Sequence, residues 1–228
     1  MGTRLKKIKH SNNKKHESKM IFVEGNIGTG KSTFLTKLSS EFKVILEPVD
    51  EWTSMKNANG KNLLEEFYTD PKRNAYLFQS IAFRSRMKNI LNQETCLIER
   101  SIYTDRNVFA KTCREDRLIG DIEWSDYNGW FDWLTTVFDI KPHGFIYLRC
   151  DPAISYERIQ KRKRSGEETI SYDYLKKIHK KHDDWLMNED PSKVLIFDVD
   201  EGFENNPKKL KEMIDTVKLV FGDQLTCA

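Results

Sequence analysis

The chain has 228 residues, 38% of them hydrophobic, and a net charge of +3, which suits one α/β domain large enough to bury a continuous core. No apolar run approaches the roughly 20 residues that cross a bilayer, and the mean hydropathy is -0.66, which argues against a membrane protein. Cys96, Cys113, Cys150 and Cys227 have neither metal-ligand nor paired spacing and read as reduced thiols of a cytoplasmic or nuclear protein.

The charge is unevenly divided. Residues 1–19 carry Arg4, Lys6, Lys7, Lys9, Lys14, Lys15 and Lys19 against Glu17 alone, a net +6 that leaves the remainder at −3. A mildly acidic body argues against a nucleic-acid-binding surface on the folded part. The tail lacks aromatic and periodic apolar residues and is expected to be a disordered, solvated leader, with nuclear localisation as the alternative. One arginine and few serines make it a poor mitochondrial transit peptide, and it has no apolar stretch for secretion.

Met20-Ile21-Phe22-Val23-Glu24 is short and apolar enough for a buried parallel strand. Gly25-Asn26-Ile27-Gly28-Thr29-Gly30-Lys31-Ser32-Thr33 follows, and then Phe34, Leu35 and Leu38 at helical spacing. Strand, Gly-x-x-x-x-Gly-Lys-Ser and helix form the context of a phosphate-binding P-loop. Its glycines turn backbone N–H groups inward, and the helix N-terminus adds partial positive charge. Lys31 reaches the outer phosphates of a nucleoside triphosphate, and the Ser32 hydroxyl is placed for Mg²⁺.

The second strand is expected at Lys43–Leu46, ending at Glu47-Pro48-Val49, with a polar loop over 53–62. Helices are expected at about 63–69 and 72–92, and a third strand at Thr95–Ile98 ends at Glu99-Arg100-Ser101. A helix leads on through Val108 and Phe109. Trp130, Trp133, Leu134 and Val137 recur at i, i+3, i+4, i+7, as core or as a subunit contact. Phe145–Leu148 is a fourth strand, followed by a basic helix at about 153–163 and another helix at about 171–187. Val194–Phe197 is the fifth strand, and Pro207 opens the last helix. The pattern predicts an α/β fold with a five-stranded parallel sheet flanked by helices.

Ligands of such sheets collect at the carboxyl ends of the strands, which gathers the P-loop, Glu47 and the Glu99-Arg100 pair. Glu47 is placed to take a proton from an attacking hydroxyl, or is a solvent-facing residue at a strand end. Arg100 suits a transferring phosphoryl group, or is a structural ion pair.

These residues resemble the deoxyribonucleoside kinases, the family that includes deoxycytidine and deoxyguanosine kinases. The resemblance runs from about Met20 to Phe203. It rests on Gly25-Asn26-Ile27, on Glu47-Pro48-Val49 with Trp52, on Phe78-Gln79, on the long run from Glu99 through Ser101 to Asp105-Arg106, and on an arginine-rich lid at about 158–168. It implies Mg²⁺ and ATP, or another nucleoside triphosphate donor, as cofactors, and a deoxynucleoside as substrate. By resemblance, Glu47 is the general base on the 5′-hydroxyl and Arg100 its partner at the phosphoryl group. Glu99 joins Ser32 around Mg²⁺, and Gln79 pairs with the base edge enclosed by Trp52, Phe78 and Phe109. Tyr68 and Glu167 match positions that hold the sugar 3′-hydroxyl, while Arg158, Arg162 and Arg164 match the lid and nucleotide-contacting arginines. A solvated basic helix face is the alternative for those three.

If 72–92 is one helix, Gln79 and Arg86 share a face with the small Ala82 between them, and Asp105 is close enough to pair with Arg86. An Arg–Asp pair suits exocyclic polar groups and offers nothing apolar to a thymine methyl. Deoxycytidine and purine deoxynucleosides are therefore expected over thymidine. The competing readings are a thymidine-accepting kinase of the same family and a nucleoside monophosphate kinase. A P-loop GTPase is disfavoured because the third strand ends in Glu-Arg and no Asn-Lys-x-Asp occurs. A non-catalytic nucleotide sensor is disfavoured by the joint presence of Lys31, Glu47 and Arg100. The apolar residues spread around helix 72–92, and the family's habit, lead us to expect a homodimer.

Overall fold

The structure is a computed structural model that describes residues 19–225, apart from 92, 94, 165 and 168 and the side chain of 223. The expectations for the tail (Lys19 excepted), for Ser165 and for Cys227 lie outside the described residues. Five strands form one all-parallel sheet: β1 (Met20–Glu24), β2 (Val44–Ile45), β3 (Cys96–Glu99), β4 (Pro142–Arg149) and β5 (Val194–Asp198). Their spatial order is β2-β3-β1-β4-β5. The central strand β1 thus has β3 on one side and β4 on the other, and the crevice at its carboxyl end is where a ligand is expected in an open parallel sheet.

Alternation along the strands builds two cores, one on each face. Phe22, Ile98, Phe145 and Tyr147 point to one face. They meet α4 (Pro71–Ile90) and α7 (Asp121–Val137), which contribute Phe83, Met87, Tyr127 and Phe131. Ile21, Val23, Leu97, Ile146 and Leu148 point to the other face. There they pack on Phe34, Leu35 and Leu38 of α1 (Lys31–Leu38) and on Met213, Val217 and Phe221 of α10 (Pro207–Leu225). Strands covered on both faces read as unbroken apolar runs, which explains why they were visible in the sequence.

Several boundaries differ from expectation. The second strand is only Val44–Ile45, because β2 is an edge strand paired with β3 alone. The expected loop over 53–62 begins inside a helix, α2 (Val49–Ser54), that buries Trp52. The rest is a tight excursion closed by the Lys56–Asn62 bridge, and Asn62 caps α3 (Leu63–Thr69) in a reciprocal box with Glu65. Asp70 and Pro71 start α4 one residue earlier than expected, and it ends at Ile90. The helix after Glu99 is three pieces: α5 (Ile102–Thr104), a π-helical turn (Asp105–Ala110) and α6 (Lys111–Glu115). The basic helix is α8 (Pro152–Arg162), and the next is α9 (Tyr172–Leu186). Of the α7 stripe expected as core or subunit contact, only Leu134 packs against the core; Trp130 and Trp133 are 51% and 54% exposed, and Val137 is exposed as well. Tyr127 and Phe131 bury the helix instead.

The last helix tests the two-core description. The Phe221 ring lies over Gly144 of β4, where an added Cβ would meet it at 2.5 Å, whereas Leu219 is exposed. Phe221→Ala should cost about 3–5 kcal/mol in urea unfolding, and Leu219→Ala no more than about 0.5 kcal/mol.

Candidate active site

The P-loop is held by close approach of main chain on both sides. A Cβ on Gly25, whose φ is +143°, would stand 2.5 Å from the Leu148 carbonyl, and one on Gly28, at φ +84°, 2.6 Å from that of Ser155. Only glycine fits there. The Asn26 side chain donates to the Leu175 carbonyl (2.9 Å), anchoring the loop to α9. The Asn26 carbonyl in turn accepts from Lys31 Nζ at 2.6 Å and from Thr29 Oγ1 at 3.2 Å. Lys31 is buried. Burial first, and the nearby Arg100 charge second, bring its ammonium down to about 7.

Ser32 and Glu99 meet at the carboxyl ends of β1 and β3. Ser32 Oγ donates to Glu99 Oε1 at 2.8 Å, and the other carboxylate oxygen accepts the Glu47 N–H at 3.3 Å. No group of three or more His, Cys, Asp or Glu suited to a metal occurs among the described residues. A hydroxyl beside one carboxylate nevertheless fits Mg²⁺, which keeps several waters and takes its remaining oxygens from a substrate's phosphates.

Arg100 stands in a strained turn, with φ +61°. Strain at a non-glycine residue persists only when neighbours over-determine it, and here they do. The Arg100 N–H bonds the Val23 carbonyl, and Nη1 donates to the Gly25 carbonyl at 2.9 Å. The guanidinium lies over the Phe109 ring, 4.7 Å from its centroid. The next residue, Ser101, gives its N–H to the fully buried Glu24 carboxylate (2.9 Å), which also accepts from the Thr104 hydroxyl. Desolvation raises the Glu24 pKa. Glu24 was missed in the sequence, although a carboxylate ending a buried strand beside the P-loop is a signal in itself.

Glu47 lies two residues beyond β2. Its Oε1 pairs with Arg86 Nη2 and lies 3.3 Å from Arg100 Nε. Burial alone would raise its pKa, but Arg86 and then Arg100 outweigh that and hold it at about 2. The alternative of a solvent-facing Glu47 is therefore set aside, and Arg100 does make the ion pair that was its alternative reading. Arg86 carries a second carboxylate, Asp105, at 2.9 Å from Nε, and Nη1 donates to the Glu99 carbonyl at 3.2 Å. The expected Arg86–Asp105 pair is present. Burial pushes Asp105 up to about 6 in spite of the arginine.

Beyond this pair the cleft becomes aromatic. Phe67 and Phe78 stack with centroids 4.7 Å apart, and Trp52 meets Phe78 edge-on at 5.5 Å. Trp52 Nε1 donates to Ser85 at 2.9 Å, and Arg86 lies over the indole. Gln79, Ala82, Asp105 and Phe109 share these walls. Gln79 Nε2 approaches Cys113 Sγ at 3.9 Å, and burial pushes that thiol up to about 12. Phe67 and Tyr174, which also line the cleft, were not singled out from sequence. Phe67 was findable, since Leu64, Phe67 and Tyr68 recur on one face of α3.

The arginines after α8 divide. Arg162 and Arg164 both bind the buried Glu167, Arg164 at 3.3 Å, and all three border the cleft. Arg158 turns elsewhere. It donates to the Val199 and Asp200 carbonyls (2.8 and 2.9 Å) and approaches Cys150 Sγ, tying α8 to the segment after β5. Tyr68 packs on Phe67. Burial first and the Glu167 carboxylate second raise its phenol pKa, which sets those two expected partners near each other.

The family model described as "Deoxynucleoside kinase" matches residues 21–221. Among curated relatives, a fowlpox virus protein named "Probable deoxycytidine kinase" is 40% identical over 189 residues, covering 79% of this chain and 78% of its own. Deoxycytidine kinase 2 of Gallus gallus is 36% identical, covering 87% and 88%. The mitochondrial deoxyguanosine kinase of Xenopus laevis is 35% identical, covering 91% of each.

The buried Lys31 generates a prediction about binding. At pH 8 an amine with a pKa near 7 is mostly neutral, whereas a triphosphate beside it favours the ammonium. Adding Mg-ATP at pH 8 should therefore take up most of a proton. Titration calorimetry in buffers of different ionisation enthalpy measures this, and Lys31→Met should abolish it.

Proposed function

The chain belongs to the deoxynucleoside kinase family, and we propose that it transfers the γ-phosphoryl group of Mg-ATP, or another nucleoside triphosphate, to the 5′-hydroxyl of deoxycytidine and purine deoxynucleosides in preference to thymidine. Phosphorylation of a deoxynucleoside is the activity of the family. The base preference and the residue roles are our reading. The observation that carries the preference is the buried Arg86–Asp105 pair beside Gln79 on the cleft wall.

In this reading Trp52, Phe67 and Phe78 enclose the base, Gln79 takes its Watson–Crick edge, and Ala82 leaves room for a second ring. Tyr68 and Glu167 hold the 3′-hydroxyl. Glu47 removes the 5′-hydroxyl proton as the new O–P bond forms. The P-loop N–H groups and Lys31 hold the donor's phosphates, and Arg100, with Arg162 and Arg164, balances charge on the group in flight. Mg²⁺, when bound, screens the phosphate charges, and Ser32 and Glu99 are the residues that would hold it. Arg158 contributes by bracing α8, since its donors are directed at main-chain carbonyls.

The relatives named as deoxycytidine and deoxyguanosine kinases support this substrate range. Exposed Leu77 on α4 with Trp130 and Trp133 on α7 supports a homodimer formed through these helices. No described helix is long and apolar enough to cross a membrane. Cys96, Cys113 and Cys150 form no disulfide, in keeping with a cytoplasmic enzyme.

Glu47→Gln should lower turnover by roughly 10²–10⁴-fold, the range of general acid–base catalysis, while ATP still binds. Retained turnover would remove Glu47 as the base. In a radiolabelled-ATP assay over a nucleoside panel, thymidine should be the poorest deoxynucleoside. Arg86→Met with Asp105→Ala should raise thymidine use and lower deoxycytidine use. Light scattering at micromolar concentration should give about twice the 26.9 kDa chain mass.

A further inference from the structure

Three consecutive residues at the end of β1 aim Arg100. The Val23 carbonyl accepts the Arg100 N–H at 3.0 Å, a Glu24 carboxylate oxygen accepts the Ser101 N–H at 2.9 Å, and the Gly25 carbonyl accepts from Arg100 Nη1 at 2.9 Å. The first two bonds hold the peptide planes on either side of the Arg100 Cα. The φ and ψ of a residue are the rotations that relate those planes. Pinning both planes therefore fixes the torsions, and with them the direction in which the side chain leaves the backbone.

The two bonds differ in kind. The Val23 bond continues the pairing of β1 with β3, whose register ends at Val23 and Glu99. The Glu24 bond is made by a side chain from 77 positions away. The second carboxylate oxygen accepts from the Thr104 hydroxyl and so closes the first turn of α5. Glu24 is fully buried and does not border the cleft, so it touches no substrate. At φ +61° Arg100 has a backbone that a non-glycine residue keeps only while its neighbours enforce it.

We propose that Glu24 is a positioning residue for phosphoryl transfer: it holds the Ser101 N–H and the Thr104 hydroxyl so that Arg100 keeps its left-handed backbone and its guanidinium stays on the Phe109 face. This rests on the role given to Arg100 in the function proposed above. Without the Glu24 acceptor the torsion relaxes toward the ordinary negative range, and the guanidinium leaves the path of the phosphoryl group. The donor keeps the P-loop N–H groups and Lys31, and the nucleoside keeps Trp52, Phe78 and Gln79. The loss therefore falls on the transition state, where charge develops on the group in flight, and not on the binding of either substrate.

The test measures steady-state transfer from Mg-ATP to deoxycytidine by the full chain and by E24L, E24D, E24Q, R100A and E24L/R100A. Glu24→Leu keeps the volume without an acceptor, Glu24→Asp keeps the charge but is one methylene too short for both partners, and Glu24→Gln keeps an acceptor at the same reach. E24L should lower kcat by about 10²-fold, the scale of a misplacement by about 1 Å, with KM for ATP and for deoxycytidine near wild type. E24Q should recover most of that loss, and E24L/R100A should be no slower than R100A. An unchanged kcat in folded E24L overturns the proposal. So does a loss that appears in the KM for ATP, which would make Glu24 a prop of the P-loop, or a double variant in which the two losses multiply, or an E24Q as slow as E24L. If E24L does not fold, E24D and E24D/R100A carry the same comparison. Near-normal turnover by R100A instead overturns the role of Arg100, and so separates failure of the underlying function from failure of the positioning.

Discussion

The molecule depends on one buried ionic cluster at the carboxyl end of its central strands. Glu47, Glu99 and Asp105 share a desolvated space with Arg86 and Arg100. Charges taken out of water are costly unless each is paired and hydrogen-bonded, and here the chain supplies those partners from five separate elements. Arg86 comes from α4, Asp105 from the π-helical turn, Glu99 from β3, and Glu47 and Arg100 from the loops after β2 and β3. None of these elements can shift without stranding a charge. The geometry that chemistry needs is thereby also a condition of folding.

Local irregularities serve the same cluster. The π-helical turn inserts an extra residue into the register after Ser101, and both Asp105 and Phe109 lie in it. An uninterrupted α-helix would present a different pair of side chains to the cleft. The left-handed backbone at Arg100 aims its guanidinium back across the P-loop, and the Glu24 carboxylate fixes the following turn. Such features are invisible to periodicity, because they violate it.

This also explains what the sequence could and could not disclose. The central strands β1, β3 and β4 were legible because they are buried on both faces, the edge strands β2 and β5 because each still reads as a short apolar run, and the P-loop because strand, glycine spacing and helix occur together. Gln79 and Arg86 were legible as sharing one face from their two-turn spacing on α4, and Asp105 as the partner of Arg86 from its place just after the third strand. The bond from Arg86 to Glu47 was not, since the two residues lie 39 positions apart and meet only through the sheet order. The α7 stripe was only partly legible as core because Tyr127 and Phe131, one turn before Trp130 and Leu134, compete for the same period, and only the neighbouring α4 decides which face is covered. Arg158 looked like its neighbours in a basic run, but one helical turn separates it from Arg162 and directs it at main-chain carbonyls.

Gly25 and Gly28 lie so close to the Leu148 and Ser155 carbonyls that no side chain fits between the P-loop and β4 or α8 at these points. These three parts are packed tightly against one another, so on the function proposed above the donor's phosphates meet a cradle that is already built. The acceptor side is held instead by exchangeable partners: Glu47 with Arg86, and Glu167 with Arg162 and Arg164. The entropy of ordering is thus unequally distributed between the two substrates. On the function proposed above, little of it falls on the nucleotide and most on the nucleoside, so plasticity, and freedom to change substrate over evolutionary time, would reside on the nucleoside side.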